Sequence, residues 1–220
     1  MTILAVTGMK KEAEIIGTEG VVVVTGGGDA VGLAQKLDAL HGDIRGVISI
    51  GLGGALSPHL KAGDVVIGER VLAGPDFWRC DNEWRVRLSA RLAHAHQGPI
   101  AGSDMIIDTA EAKSALHDRT GALAVDMESQ VAARFAKARE LPLAVLRVIS
   151  DDANHVLPPA ALVAMKPDGG IAIGRVLGSL LRHPLQVPAL IRTARSSNKA
   201  FAELLRCRDL CGIGLAGLDG

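Results

Sequence analysis

Residues 127–152, MESQVAARFAKARELPLAVLRVISDD, hold a helical pattern and a strand pattern in direct succession. Met127, Val131 and Phe135 recur at i, i+4 and i+8, which puts them on one face of a helix over Met127–Arg139. Leu143–Ile149 is a short apolar run ending in Ser150, Asp151 and Asp152, and reads as a buried strand. Working outward, similar runs lie at Ile3–Val6, Val21–Thr25, Val47–Ile50 and Val65–Ile67, and Ala30–Leu40 repeats the amphipathic helix. Strands alternating with helices predict an α/β fold with a mostly parallel sheet and flanking helices. Such sheets bind ligands beyond the carboxyl ends of their strands, so the residues just after each run are the functional candidates.

Composition narrows the class. A chain of 220 residues with 48% hydrophobic content can bury a large core as one domain. Lys plus Arg and Asp plus Glu both number 24, so no global charge points to nucleic acid, and 2% aromatic content excludes base-stacking platforms. Cys80, Cys207 and Cys211 have neither CxxC spacing nor histidines at metal-ligand intervals. Neither a metal nor an organic cofactor is expected, and a reduced cytoplasmic setting fits. The N-terminal apolar run is too short for a signal peptide, and no stretch is long enough to span a bilayer.

Residues 169–208 differ in character, interleaving apolar residues with Arg175, Arg182, Arg192, Arg195, Lys199, Arg206 and Arg208. They read as an appended helical segment broken at His183-Pro184, because proline lacks a donor and disfavours helix before it. The domain is read as 1–208, with a core over 1–165, and 209–220 as a flexible Gly-rich tail.

Four strand ends carry chemistry. Thr7-Gly8-Met9-Lys10-Lys11-Glu12 sets a carboxylate at a helix start, where the dipole alone would favour it. Gly26-Gly27-Gly28 and Gly51-Leu52-Gly53-Gly54 allow close backbone approach to a ligand. No acid ends the Val47–Ile50 strand to hold a ribose, so a dinucleotide-binding oxidoreductase is discounted. In Val125-Asp126-Met127-Glu128, Asp126 reads as a helix cap, while Glu128 can accept two hydrogen bonds from a vicinal diol. Arg147, inside an apolar strand, demands a partner.

In order, G-M-x-x-E, G-x-G-G, D-M-E and R-V-I-S-D-D resemble the purine nucleoside phosphorylase and methylthioadenosine/adenosylhomocysteine nucleosidase superfamily over about residues 1–165. The resemblance implies a three-layer nucleoside phosphorylase-like sandwich around a mostly parallel mixed sheet, and an enzyme that cleaves the N-glycosidic bond of an adenine nucleoside. It implies Asp151 as the acid that protonates purine N7, Ser150 as its orienting neighbour, and Glu12 and Arg147 around the nucleophile. Its substrate-facing set is Met9, Gly53, Gly54, Ile106, Ile107, Met127 and Glu128, the last two on the ribose hydroxyls. Where these nucleosidases carry an aromatic beside the adenine, this chain has Ile106, so aliphatic contact replaces stacking.

The chemistry agrees with the assignment. Cleavage passes through an oxocarbenium-like state, which calls for positive charge stabilised on the ribose and a proton for the leaving purine. Burial beside Ile149 and a neighbouring Asp152 are expected to keep Asp151 protonated. An ionised Glu12 can take a proton from water. A carboxylate there repels phosphate, so hydrolysis is favoured, while Lys10, Lys11 and Arg147 leave phosphorolysis open.

Within the superfamily the forms V-D-M-E-S and R-V-I-S-D-D-A-N and the basic apolar C-terminal segment are similar to the hopanoid-associated phosphorylase group, which implies adenosylhopane as substrate and adenine as product. That resemblance implies a small-molecule or lipid-linked nucleoside as partner, with phosphate as the alternative co-substrate. It also implies a homodimer or higher homo-oligomer. The basic apolar segment over 175–208 reads either as a helix that packs on the domain or completes a dimer, or as one in peripheral contact with the inner membrane face. A methylthioadenosine/adenosylhomocysteine nucleosidase and a non-enzymatic nucleotide-binding module are the rival readings.

Overall fold

The computed structural model describes residues 2–162, 166 and 168–217. Eight strands form one mixed sheet: β1 (Thr2–Thr7), β2 (Val21–Thr25), β3 (Ile44–Ala55), β4 (Val65–Ala73), β5 (Asp76–Arg79), β6 (His96–Gly102), β7 (Ala124–Asp126) and β8 (Leu143–Asp151). The helices are α1 (Lys10–Ile16), α2 (Ala30–Asp38), α3 (Asn82–Arg91), α4 (Ala110–Thr120), α5 (Ser129–Ala138), α6 (Pro159–Leu162), α7 (Ile173–Arg182) and α8 (Val187–Cys211).

The order β2-β1-β3-β7-β6-β4-β5 is closed on itself by β8, which pairs parallel with β3 and antiparallel with β4. Most pairings are parallel, and β3–β7, β4–β5 and β4–β8 are the antiparallel ones. One face of the sheet packs Leu33 and Leu37 of α2 and Val131 and Phe135 of α5. The opposite face packs Trp84 and Leu88 of α3 with Leu204, Cys207 and Cys211 of α8. The flanking helices expected from the alternating pattern and the three layers implied by the resemblance are present; Val131 and Phe135 turn inward, while Met127 precedes α5 and is only partly buried.

All three cysteines are free and buried, and burial pushes the thiols up to about 12 for Cys80 and Cys207 and about 11 for Cys211. They pack as small apolar residues. The helix breaks at His183-Pro184, which separates α7 from α8, as proline requires.

The tail departs from expectation. Residues 209–211 belong to α8, and Leu215 and Ala216 are fully buried against the α3 and β1 side of the core. Their carbonyls accept hydrogen bonds from Trp84 Nε1 (3.0 Å) and Arg87 Nε (3.0 Å). Glycine content suggested freedom; here it permits a tight turn in which Gly212 and Gly214 both adopt φ of +69°. The flexible-tail reading is therefore corrected for 209–217, and 218–220 lie outside the described residues.

Candidate active site

The central strand organises the site. β3 runs 12 residues and ends in Gly51-Leu52-Gly53-Gly54-Ala55, whose three glycines stand where a side chain would crowd its neighbours. A Cβ on Gly51 would sit 2.7 Å from Glu12 Oε1, one on Gly53 would meet Arg147 Cδ at 3.3 Å, and one on Gly54 would meet Asp151 Oδ2 at 3.2 Å. Three sequence-nominated side chains thus rest along one short run of strand. At about 3.3 Å per residue, Gly51 to Gly54 covers roughly 10 Å.

Glu12 is 2% exposed and held by three backbone donors. Its Oε2 accepts from the Gly8 and Met9 N–H groups, each at 2.7 Å, and its Oε1 accepts from the Leu52 N–H at 2.7 Å. It therefore caps α1, as its place in the helix's first turn suggested, and also ties that helix to β3. Burial raises its proton affinity above the usual carboxylate range, against the lowering effect of the Leu52 and Met9 N–H groups and of Arg147.

Arg147 is buried and donates from all three nitrogens: Nε to Asp126 Oδ2 at 2.7 Å, Nη2 to Ser49 Oγ at 2.5 Å and Nη1 to the Leu146 carbonyl at 3.2 Å. Asp126 turns its other oxygen to the Glu128 and Ser129 N–H groups at 2.8 and 2.7 Å, capping the start of α5 as its position implied. It also supplies the counter-charge that the arginine needed.

Glu128 is buried with its carboxyl against Gly8 and Gly26; a Cβ on Gly8 would come within 2.9 Å of its Oε1. Burial first, then the Asp126 charge, pushes it up to about 8. The first glycine run therefore makes room for an acidic side chain. Met9 and Met127 are partly buried beside these acids in sequence. Ile107 packs on Leu56, Ala101, Ala122 and Val125 beyond β6, while Ile106 is 39% exposed.

Asp151 ends β8 at a register irregularity, where Gly53 pairs with Ile149 and Gly54 with Asp151. The bulge falls at Ser150, whose Oγ donates to Asp151 Oδ1 at 2.7 Å. The sequence placed Asp152 beside Asp151 as the neighbour that keeps it protonated. Asp152 turns elsewhere, its Oδ1 accepting from the Ala62 N–H at 2.7 Å. The group facing Asp151 Oδ2 is instead Lys113 of α4, with Nζ at 2.5 Å. Sequence reasoning missed Lys113, since one lysine in a helix normally marks a solvated face. Among the described residues no cluster of His, Cys, Asp and Glu suits a metal ion.

The sequence model of the phosphorylase superfamily matches residues 5–161. The chain belongs to the phosphorylase superfamily. It is accordingly an enzyme of the N-glycosidase or nucleoside phosphorylase kind, and the matched span contains every acid described above. A search of the curated proteins finds no match. Among solved structures, the Streptococcus pneumoniae MTA/SAH nucleosidase in complex with 8-aminoadenine is 22% identical, covering 92% of this chain and 99% of its own, with a TM-score of 0.63. The S-adenosylhomocysteine nucleosidase of Streptococcus pyogenes is 19% identical over 92% of this chain and 96% of its own, at a TM-score of 0.64. Futalosine hydrolase of Helicobacter pylori is 17% identical over 94% of this chain and 97% of its own, at 0.61. At these identities the likeness is one of fold, and it extends beyond the matched core into the C-terminal helices.

Proposed function

We propose that this enzyme hydrolyses the N-glycosidic bond of an adenine nucleoside. Water oxygen attacks C1′ as the bond to the base breaks; Glu12 accepts the water proton and Asp151 delivers a proton to N7 of the departing adenine. Glu128, with Met127 beside it, receives the ribose hydroxyls. Burial raises the proton affinity of Glu12, the direction that suits a general base.

The observation that favours water over phosphate is the state of the basic residues. Arg147 already donates from each nitrogen, Lys10 pairs with Asp168 at 2.7 Å, and Lys11 stands 4.1 Å over the Phe201 ring. A phosphate beside the buried Glu12 would meet cations that already have partners and a carboxylate that repels it. Purified protein incubated with adenosine, methylthioadenosine and adenosylhopane, with and without phosphate, should release adenine without phosphate. Glu12→Gln and Asp151→Asn should each abolish most of that release. Strict dependence on phosphate would overturn hydrolysis, and full turnover by Asp151→Asn would overturn the acid.

For the 5′ group we propose an apolar, lipid-linked substituent, with adenosylhopane as the specific case. Gly169 is docked on the site, its carbonyl accepting from the Lys10 N–H at 3.0 Å, and α7 starts four residues on. No residue of α7 is buried; Ile173, Leu177 and Leu181 form an exposed row at i, i+4 and i+8, continued by Leu185. From Asp168 to Glu203 the chain carries no acid between five basic residues, Arg175, Arg182, Arg192, Arg195 and Lys199. An apolar row within a wholly basic stretch fits an anionic bilayer surface. No described helix is long and apolar enough to cross a membrane. Cosedimentation with anionic vesicles, weakened by salt and lost in Leu181→Asp, is expected. A change of molecular mass in Leu181→Asp without vesicle binding would instead make this face a contact between copies of the chain.

A further inference from the structure

Lys113 is fully buried, which lysine tolerates only when paired. Its ammonium has three donors and all are used: Asp151 Oδ2 at 2.5 Å, the Asp152 carbonyl at 3.0 Å and the His155 carbonyl at 3.0 Å. It is the one buried residue of α4, whose apolar side chains stay at least partly exposed. This helix is thus anchored by a charge where an apolar stripe would ordinarily serve. Burying an ion pair gains little stability over a well-packed apolar pair, so fold stability alone accounts poorly for a lysine here.

The geometry points to Lys113 as a positioning residue for the leaving-group acid, a role that rests on Asp151 being that acid. When Asp151 passes its proton to N7, the electron pair of the glycosidic bond goes to the base and a carboxylate remains in a buried site. The Lys113 ammonium, which keeps its own protons, stabilises that carboxylate, so that Asp151, once it carries the proton, gives it up to N7 more readily. Ser150 holds Oδ1 while Lys113 holds Oδ2, fixing the plane of the carboxyl group. The same lysine fastens the turn at Asp152–His155 to α4, which follows directly on the loop carrying Ile106 and Ile107. One cation therefore joins the acid to the segment proposed to face the base.

The test compares wild type, Lys113→Ala, Lys113→Gln and Asp151→Asn by adenine release from methylthioadenosine, adenosine and adenosylhopane, with thermal unfolding recorded for each. Loss of the ammonium is expected to lower kcat about 100-fold, with KM held within about threefold, as befits a group acting through a general acid. n-Propylammonium replaces the atoms deleted in Lys113→Ala and should restore kcat saturably, roughly tenfold or more, while n-propanol should not. The double variant Lys113→Ala with Asp151→Asn should show no rescue. Should the alanine variant fail to fold, Lys113→Gln, a neutral donor, carries the same expectation for kcat. An inactive Asp151→Asn beside Lys113 variants of undiminished kcat, or equal rescue by propanol, overturns the role of Lys113 and leaves the acid in place. A fully active Asp151→Asn removes the acid, and this role with it.

Discussion

Burial, and after it the Asp126 charge, pushes the Glu128 carboxyl up to about 8 from an ordinary 4.5, and Glu12 adds to the same effect. The folded protein then binds a proton that the unfolded chain has released, so stability falls as pH rises between these values. Glu128 contributes its full stability below about 4.5 and loses it as the pH passes through about 8. Each unit of pH inside that window costs up to about 1.4 kcal/mol. Glu128→Gln removes the titration but keeps the shape. Thermal unfolding from pH 5 to 9 should show the wild type losing stability relative to Glu128→Gln across the window. Parallel curves would mean that another carboxyl carries the slope. Above about pH 8, where Glu128 is ionised, the same variant should bind nucleoside more weakly than the wild type, because an amide offers a diol one acceptor where the carboxylate offers two.

At the scale of an element, β3 explains why the site holds together. Its glycines give up side chains so that Glu12, Arg147 and Asp151 can lie against the strand. Gly51→Ala would place a methyl group 2.7 Å from a carboxylate that three backbone N–H groups fix in place. The expected result is a loss of about 1–3 kcal/mol in stability, as for other overpacked sites, with a larger fall in kcat than in thermal midpoint. Normal kcat in this variant would show that Glu12 can shift without consequence. The strands that border the site were legible because β1, β2, β3, β4 and β8 carry β-branched apolar runs, and α2 and α5 carry a clear 3.6-residue period. β6 was harder to see, since His96, Gln97, Gly98 and Pro99 break any such run, and β7 spans only three residues. Closure of the sheet through β8 depends on pairings far apart in sequence, to which local periodicity is blind. Lys113 was invisible for the same reason: its partner lies 38 residues away, and nothing in α4 itself distinguishes a buried lysine from a solvated one.

At the scale of the whole molecule, the chain's last described residues close the side of the sheet opposite α2 and α5. Leu215 and Ala216 both adopt positive φ, 52° and 54°, a conformation that costs non-glycine residues about 1–2 kcal/mol each. They hold it because Leu215 is fully buried, its carbonyl accepts from the fully buried Trp84, and Gly217 lies against Ile3 at the start of β1. Truncation after Gly212 would expose that indole and leave its N–H without an acceptor. Loss of the Leu215 side chain alone should cost about 2–4 kcal/mol by analogy with other buried leucines. The truncated protein should therefore unfold at lower temperature, with a red shift in tryptophan emission already present in the native state. Its kcat below that temperature should be unchanged, because the segment packs at the Ile3 end of β1 while Gly8 and Glu12 lie past the other end of the strand. Equal melting curves for the two chains would return residues 213–217 to a loosely attached tail, whereas a matching loss of kcat would mean that the two ends of β1 are coupled through the sheet.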